Sequence, residues 1–298
     1  MTPSVSIAIL TFRRPERVTP LLDALWALAQ SNWQLHEILV VDNDCDPEVR
    51  ALVEDWNMDR GCSTAKYVAE SQSGIPFARN RAVATYSGEY LAFIDDDERP
   101  GAGWMDALFD GVRAFSADGS LGPVHPEYTE PPPQWVVNAG LHDRLDLDDG
   151  FITDWRHGRT GNLLVARRVY ESLEYPFDTR LATGEDQDFF RRAMAAGFRF
   201  AWWRAAEVIE YVPGHRLTLK FFVRRAFFRG RIASVWANRG GKNAVKSACA
   251  LLVYAPILLV TAPFNRVRFI RTLVSASAHA GMLHGMLKPP GGNDAYVG

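Results

Sequence analysis

Cysteine is scarce in this sequence of 298 residues, and the three that occur, Cys45, Cys62 and Cys249, show no C-x-x-C spacing. A disulfide scaffold needs an even set of cysteines and a zinc site needs closely spaced pairs, so the sequence favours neither. The chain starts with one short apolar run, which is expected to be a strand rather than a signal peptide. Because 47% of the residues are apolar, a sizeable core can form.

Acidic residues are almost absent from the last part of the chain. Residues 211–298 contain 13 Lys or Arg and a single acid, Asp294, whereas residues 1–210 contain 34 acids and 20 Lys or Arg. This asymmetry predicts a catalytic domain over 1–215 and a basic helical region over 216–298. The basic region alternates with phenylalanines and lacks a nucleic-acid-binding motif, which favours anionic lipid over nucleic acid as its partner.

Only one long run lacks charge altogether, the 18 residues 247–264, and arginines follow it. A run of this length is at the lower limit for spanning a bilayer, and Pro256 and Pro263 are expected to interrupt the helix. Residues 216–287 are therefore predicted to hold the protein at the cytoplasmic face of a bacterial inner membrane, peripherally or as a re-entrant segment. The alternative is a set of core helices in a soluble second domain.

Three apolar, β-branched runs end in polar residues, at Thr11, Asp42 and Asp95. Helical spacing over 15–30, 47–59 and 76–86 separates these runs and a weaker strand at 65–68, so the strands are expected to be parallel. The three polar residues should then converge beyond the carboxyl ends of the strands, where open α/β sheets bind ligands. The fold class predicted is α/β, with a mostly parallel, Rossmann-like sheet flanked by helices. Residues 123–161 follow no period and are predicted to be loops and short strands that shape an acceptor site.

Four consecutive carboxylates, at positions 95–98, follow the third of these strands. Like charges so close together destabilise a fold unless a cation compensates them, so this run predicts a divalent cation bound together with a diphosphate. In an extended segment, residues two apart face the same side, so Asp95 and Asp97 are expected to address one ligand while Asp96 points away. The alternative is a solvated acidic turn.

Five segments together resemble family-2 glycosyltransferases with the GT-A fold, in particular the succinoglycan-type exopolysaccharide glucosyltransferases. They are residues 5–15 (VSIAILTFRRP), 38–43 (ILVVDN), 74–80 (GIPFARN), 93–97 (FIDDD) and 184–189 (GEDQDF). The resemblance covers residues 4–230. It implies an inverting transfer of a sugar, expected to be a hexose from a UDP-sugar, to a hydroxyl of a lipid-linked saccharide in polysaccharide biosynthesis.

The resemblance also implies roles for individual side chains. The nucleotide-sugar pocket would comprise Thr11, Arg13, Asp42, Arg79, Asn80, Asp95, Asp96 and Arg216, with Asp42 at the uracil ring. Asp95 and Asp97 would hold Mn²⁺ or Mg²⁺, and His215 would be a further metal ligand. The alternatives are a helix cap at Thr11, an Asx turn from Asp42 to Asp44, and an ion pair between Arg79 and a surface acid.

A catalytic base is required because a sugar hydroxyl is a poor nucleophile until its proton is being removed. The resemblance places this role on Asp186, with Glu185 as the rival and Asp188 a third candidate in the same helical turn. The helix dipole alone favours acids at a helix N-terminus, so one of the three is expected to be structural only.

Other function classes are a polyprenyl-phosphate glycosyltransferase, a metal-dependent nucleotidyltransferase and a non-catalytic membrane scaffold. A nucleotidyltransferase should have a glycine-rich basic loop after its first strand, and residues 11–15 (TFRRP) contain no glycine. A scaffold should have lost the motif set, yet Asp95, Asp97 and the Glu185-Asp186 pair are all present. The sequence therefore favours an active glycosyltransferase.

Overall fold

The structure, a computed structural model, describes residues 2–142, 145–181, 183–236 and 241–288. The predicted C-terminal region thus lies partly outside the described residues, at 237–240 and 289–298. The chain divides into two compact units. The first comprises Met1–Glu127, Arg144–Thr179 and Glu185–Tyr211, and the second comprises Tyr128–Asp143, Arg180–Gly184 and Val212–Gly298.

The first half of the chain alternates strands and helices. Its elements are β1 (Ser4–Thr11), α1 (Pro15–Trp26), β2 (Gln34–Asp42), α2 (Pro47–Arg60), β3 (Ala65–Ala69), α3 (Ile75–Thr85), β4 (Tyr90–Asp95), β5 (Glu98–Pro100), α4 (Trp104–Phe115), β6 (Gly119–Leu121) and β7 (Val124–Tyr128). The predicted helix over 15–30 ends earlier, at Trp26. The other predicted helices and strands of this half agree with the structure to within three residues.

The second half contains shorter strands and longer helices. Its elements are α5 (Gln134–Asn138), β8 (Gly150–Phe151), β9 (Leu163–Ala166), α6 (Arg167–Glu171), α7 (Glu185–Ala195), β10 (Phe200–Trp202), β11 (Val208–Val212), α8 (Leu219–Trp236), α9 (Lys242–Thr261) and α10 (Arg266–Leu287). Two 3-10 turns, Trp155–His157 and Gly214–Leu217, lie between them.

The main sheet has eight strands in the order β3-β2-β1-β4-β9-β6-β10-β8. The four strands from β3 to β4 are parallel, whereas β9 runs antiparallel to both β4 and β6. In the register, Thr11 lies opposite Asp42 and Leu10 lies opposite Asp95. The expected convergence of the three polar strand ends is confirmed. A second sheet of three strands has the order β5-β11-β7.

Both faces of the parallel strands are buried, which explains their continuous apolar runs. On β1, Ile7 and Ile9 contribute to one apolar core and Ala8 to the other. The first core also contains side chains of α1, α2 and α4, and the second contains side chains of α3 and α7. Because helices cover both faces, the edge beyond the carboxyl ends of the strands is left for the polar residues.

The second unit contains the helices α8, α9 and α10. Helices α8 and α10 approach closely at glycines: a Cβ at Gly230 would overlap the carbonyl of Ala278, and one at Gly281 would overlap that of Phe227. Small residues permit such contacts between helices, in membranes as elsewhere. Val136, Val212, Leu217 and Phe222 form a separate apolar core in this unit.

The prediction that Pro256 interrupts the helix is wrong, because helix α9 (Lys242–Thr261) is continuous through this proline. A proline removes one backbone donor, and the rest of a helix of 20 residues keeps its hydrogen bonds. By length and composition α9 can cross a membrane. A stretch of 18 residues within it has a mean hydropathy of 1.9, and only 11% of that stretch is buried. A core helix of a soluble domain would be mostly buried, so the exposure of α9 argues against that alternative.

Candidate active site

The chain turns sharply after β4, and this turn sets the positions of the carboxylates. Arg14 Nη1 donates to Asp96 Oδ1 (2.8 Å) and to Asp97 Oδ2 (3.1 Å). Asp96 is buried and also accepts from the Thr11 hydroxyl (3.2 Å). The prediction that Asp96 points away from Asp97 is wrong, because the extended geometry ends at Asp95 and both side chains converge on Arg14. Thr11 bonds Asp96 instead of capping α1.

Burial raises the affinity of two of these carboxylates for protons. It raises the pKa of Asp96 to about 6, although Arg14 acts in the opposite direction. It also raises the pKa of Glu98 well above its usual range, and the nearby Asp95 carboxylate adds to the effect. Glu98 Oε2 accepts from the Asp95 backbone N–H (3.1 Å). Burial therefore disfavours the ionised forms of these carboxylates, and a bound cation would stabilise those forms.

A segment that precedes β9 packs against this turn. Asn162 has a left-handed backbone (φ 65°) and is fixed by bonds from its amide to the Ala206 carbonyl (2.6 Å) and from the Trp104 indole (2.7 Å). At the neighbouring Gly161, a Cβ would lie 2.8 Å from Asp95 Oδ2 and 2.9 Å from Glu98 Oε1. Glycine at 161 therefore allows the backbone to approach the two carboxylates.

Helix α7 brings a second set of acids to the same unit. At its start Glu185 forms a buried ion pair with Arg79 of α3. Arg79 thus bridges to an acid, as the alternative predicted, but this acid is buried and not at the surface. Burial raises the pKa of Glu185 to about 7, while the Arg79 guanidinium opposes the rise. The neighbouring Asn80 donates to the Phe177 carbonyl (2.8 Å) and accepts from its N–H (2.9 Å). Both polar atoms of Asn80 therefore hold the protein's own backbone.

The three acids of the first turn of α7 differ in their partners. Asp188 accepts from Arg191 and from Arg192, each at 2.7 Å, so its two oxygens hold guanidinium groups of its own helix. Asp186 is half-buried and accepts from the Gln187 backbone N–H (2.7 Å). Burial raises its pKa above the usual range of an aspartate. Asp188 is thus paired within its own helix, and the choice of the base among these acids remains a prediction.

The loops after β1 and β2 contact each other at the place where the nucleotide is expected to bind. Asp42 is fully buried and accepts from the N–H groups of Asp44 (2.9 Å) and Asp46 (2.6 Å) and from the Tyr67 hydroxyl (3.1 Å). The Asx-turn alternative is thus confirmed, and contact with uracil remains a prediction. Arg13 adopts a left-handed backbone (φ 57°), and its exposed side chain pairs with Asp44 (3.3 Å).

The predicted metal ligands remain a prediction. Within 2–142, 145–181, 183–236 and 241–288, no three His, Cys, Asp or Glu side chains form a group that could hold a metal ion. Mg²⁺ is commonly bound by one or two carboxylates together with substrate phosphates, which is the kind of site that the sequence predicts at Asp95 and Asp97. His215 is exposed, and it lies with the half-buried Arg216 in the 3-10 turn of the second unit. Their roles toward the donor remain predictions.

The sequence model of the family "Glycosyl transferase family 2" matches residues 6–201. The chain belongs to glycosyl transferase family 2. It is also 32% identical to the succinoglycan biosynthesis protein ExoM of Rhizobium meliloti over 96% of this chain and 94% of that protein. Glycosyltransferase AglE of Haloferax volcanii is 27% identical over 66% of this chain and 63% of its own length.

Two solved structures have a similar fold. The mannosyltransferase PcManGT from Pyrobaculum calidifontis, solved with GDP-Man and Mn²⁺, superposes with a TM-score of 0.63 at 18% identity, over 95% of this chain and 88% of that one. TarS from S. aureus, residues 1–349, gives a TM-score of 0.53 at 13% identity, over 94% and 90% of the two chains. Together with the mostly parallel sheet and its helices, they establish the GT-A fold of this transferase.

Sequence reasoning missed several residues around the carboxylates of the transferase. Arg14 stands inside the segment 5–15, but its position gives no indication that it joins two aspartates. Gly161 and Arg159 lie in the stretch without periodicity, where no local pattern marks them. Glu98 was recognised as part of the acidic run, but the run does not reveal that this carboxylate is almost fully buried.

The buried Arg79–Glu185 pair yields a prediction about stability. Arg79→Met leaves the Glu185 carboxylate buried without its guanidinium, so the free energy of unfolding should fall by about 3–5 kcal/mol. The double variant Arg79→Met/Glu185→Leu should recover most of this loss, because neither charge is then buried alone. Chemical denaturation at pH 8 measures all three proteins.

The exposed pair Arg60–Asp23 supplies the matched control. Arg60→Met should cost less than about 1 kcal/mol, as is usual for ion pairs at a surface. Equal losses for the two arginine variants would contradict the assignment of Arg79–Glu185 as a pair that the fold requires.

Proposed function

We propose that this transferase moves a hexose, with inversion, from a UDP-sugar to a hydroxyl of a lipid-linked saccharide in exopolysaccharide synthesis. The observation that carries the proposal is the contrast at the start of α7. Glu185 and Asp188 hold guanidinium groups, whereas the Asp186 carboxylate accepts backbone N–H groups and forms no ion pair within the described residues. Asp186 is therefore the acid that is available to an acceptor hydroxyl.

The comparisons support the substrate classes. ExoM, similar along almost its whole length, is by its name a succinoglycan biosynthesis protein, which favours an exopolysaccharide acceptor. PcManGT was solved with a nucleotide-sugar and Mn²⁺, which favours a nucleoside-diphosphate sugar as donor and a divalent cation as cofactor. The choice of UDP rests on the sequence resemblance, in which Asp42 addresses uracil.

The proposed reaction is a single displacement. Asp186 accepts the proton of the acceptor hydroxyl while the oxygen attacks the anomeric carbon from the face opposite the diphosphate, so the configuration inverts. A raised pKa makes Asp186 a stronger base than an ordinary aspartate, provided that the pH keeps it ionised. Asp95 and Asp97 would hold the cation, which supplies positive charge next to the leaving diphosphate.

Removal of the Asp186 carboxylate tests the proposal. Asp186→Asn should lower kcat for UDP release by about 10²–10⁴, because the amide cannot accept the proton, and should leave UDP affinity nearly unchanged. The assay screens nucleotide sugars, with a membrane extract of an exopolysaccharide-producing bacterium as acceptor. The exposed Asp110→Asn, on α4, is the control and should retain full activity. Full activity of Asp186→Asn would contradict the assignment of the base.

Metal binding should depend on the nucleotide. If two carboxylates and two phosphate oxygens share the cation, Mn²⁺ alone should bind weakly, and UDP should tighten its binding by at least about tenfold. Asp97→Ala should abolish this coupling, whereas the fold should persist because Asp97 is partly exposed. Isothermal calorimetry with Mn²⁺, UDP and both together measures the effect. Equal Mn²⁺ affinity with and without UDP would refute a shared site.

We further propose that the second unit holds the transferase at the cytoplasmic face of the inner membrane. Helix α9 exposes large apolar side chains, and exposed cations lie near both of its ends. The apolar ones are Val245, Leu252, Val253, Leu259, Val260 and, just beyond the helix, Phe264, and the cations are Lys242, Lys246, Arg266 and Arg268. An exposed apolar helix with flanking cations is typical of binding to anionic bilayers.

Vesicle flotation tests this surface. Leu252→Asp/Leu259→Asp should weaken binding to phosphatidylglycerol-containing vesicles by at least about tenfold, because charges would replace two exposed leucines that the bilayer would bury. Lys242→Ser/Lys246→Ser should weaken binding to these vesicles more than to pure phosphatidylcholine vesicles. Met58→Asp, at an exposed apolar residue of α2, is the control. Unchanged flotation of the double aspartate variant would refute the role of α9.

A further inference from the structure

Arg159 is a half-buried cation that neither the sequence motifs nor the proposed reaction uses. Its guanidinium carbon lies 5.2 Å from the ring centroid of the fully buried Trp202, and its Nη2 donates to the Leu145 carbonyl (3.3 Å). Its Nε is buried without a hydrogen-bond partner among the described residues. A half-buried cation that bonds only a neutral carbonyl is costly unless nearby negative charge compensates it.

The backbone around Arg159 is fixed on two sides. Gly158 packs directly against the Phe190 ring of α7, and Gly161 packs against the carboxylates of Asp95 and Glu98. The Gln187 side chain of α7 also donates to the Arg156 carbonyl (3.3 Å), just before this segment. Arg159 therefore lies between the start of α7 and the end of β4, where both sets of acids are located.

The charges that act on Arg159 come from the first residue of β5 and from the start of α7. Burial lowers the pKa of the Arg159 guanidinium, and the carboxylates of Glu98 and Asp186 act against that effect. The interaction is mutual, since Arg159 in turn favours the ionised form of Asp186. The other charged groups around Asp186 are Arg79, which also favours ionisation, and Glu185, which disfavours it.

We infer that Arg159 is a positioning residue whose guanidinium keeps the Asp186 carboxylate ionised and ready to accept a proton. The inference rests on the proposed function for the role of Asp186. Arg79 already has Glu185 as an ion-pair partner. Arg159 has no ion-pair partner among the described residues, so no direct contact neutralises the positive charge of its guanidinium. The nearby Arg156 is exposed and paired with Asp154, which makes it a suitable comparison.

Titration of Asp186 in the full-length chain tests the inference without reference to activity. The protein is labelled with ¹³C at the aspartate carboxyls, and the resonance that is lost in Asp186→Asn identifies Asp186. In Arg159→Gln, which keeps a donor for the Leu145 carbonyl, the midpoint should rise by about 0.5–1 pH unit. Arg159→Lys should restore the midpoint, and Arg156→Gln should not change it.

The rate of sugar transfer gives a second readout. The acid limb of the pH profile of kcat should move to higher pH by the same amount in Arg159→Gln, with KM for the nucleotide sugar unchanged. Circular dichroism verifies folding, and Arg159→Met replaces the glutamine variant if that variant does not fold. An unshifted midpoint in a folded neutral variant would overturn the inference. So would a raised KM without a pH shift, because it would indicate direct contact with the donor.

The two proposals fail in different ways. If no nucleotide sugar supports transfer, the proposed function is wrong, whereas the carboxyl titration still decides whether Arg159 acts on Asp186. If transfer occurs and Asp186→Asn abolishes it, an unshifted titration in Arg159→Gln removes only the role of Arg159.

Discussion

Repulsion among neighbouring carboxylates is the constraint that the first unit of this transferase has to meet. The segment from the end of β4 to the start of β5 contributes four acids, the start of α7 contributes two more, and three arginines act on these acids. The acids are Asp95, Asp96, Asp97, Glu98, Glu185 and Asp186, and the arginines are Arg14, Arg79 and Arg159. Each arginine comes from a different element: the loop before α1, helix α3 and the segment before β9. Charge compensation thus connects parts of the chain that are far apart in sequence, and it fixes the turn after β4 against the rest of the unit.

The acids differ in whether their carboxylates are held by side chains of the protein itself. Asp96 is held by Arg14 and Thr11, and Asp188 is held by Arg191 and Arg192. Arg192 in turn donates to the carbonyls of residues 175 and 176, so this acid stabilises the loop before α7. The helix dipole favours every acid in the first turn, and the dipole therefore cannot select a base. Guanidinium groups pair with Glu185 and Asp188 but not, among the described residues, with Asp186, and the proposal of Asp186 as the base rests on this difference.

The sequence predicts the parallel half of the fold well because β-branched runs, polar strand ends and helical spacing are local signals. Thr11, Asp42 and Asp95 could be placed at one edge for this reason. The predicted orientation of the Asp96 side chain is wrong, because this orientation depends on where the strand ends and the turn begins, and the sequence does not mark that point. Arg159 and Gly161 were missed because their partners lie on β4 and α7, more than twenty residues away in sequence, and no periodic pattern marks such contacts.

The C-terminal region shows why a net charge of −2 says little about the membrane. Charges at a surface act over a Debye length of about 8 Å at physiological salt, so an acidic region does not cancel a basic one elsewhere on the molecule. Residues 211–298, with 13 cations and one acid, can therefore be attracted to anionic lipid even though residues 1–210 carry an excess of acids. Helix α9 adds apolar surface that is continuous through Pro256, and this surface is stabilised only when lipid or protein covers it. Attraction by the cations and burial of α9 are separate contributions, which is why substitutions of lysine and of leucine should differ in their dependence on lipid charge.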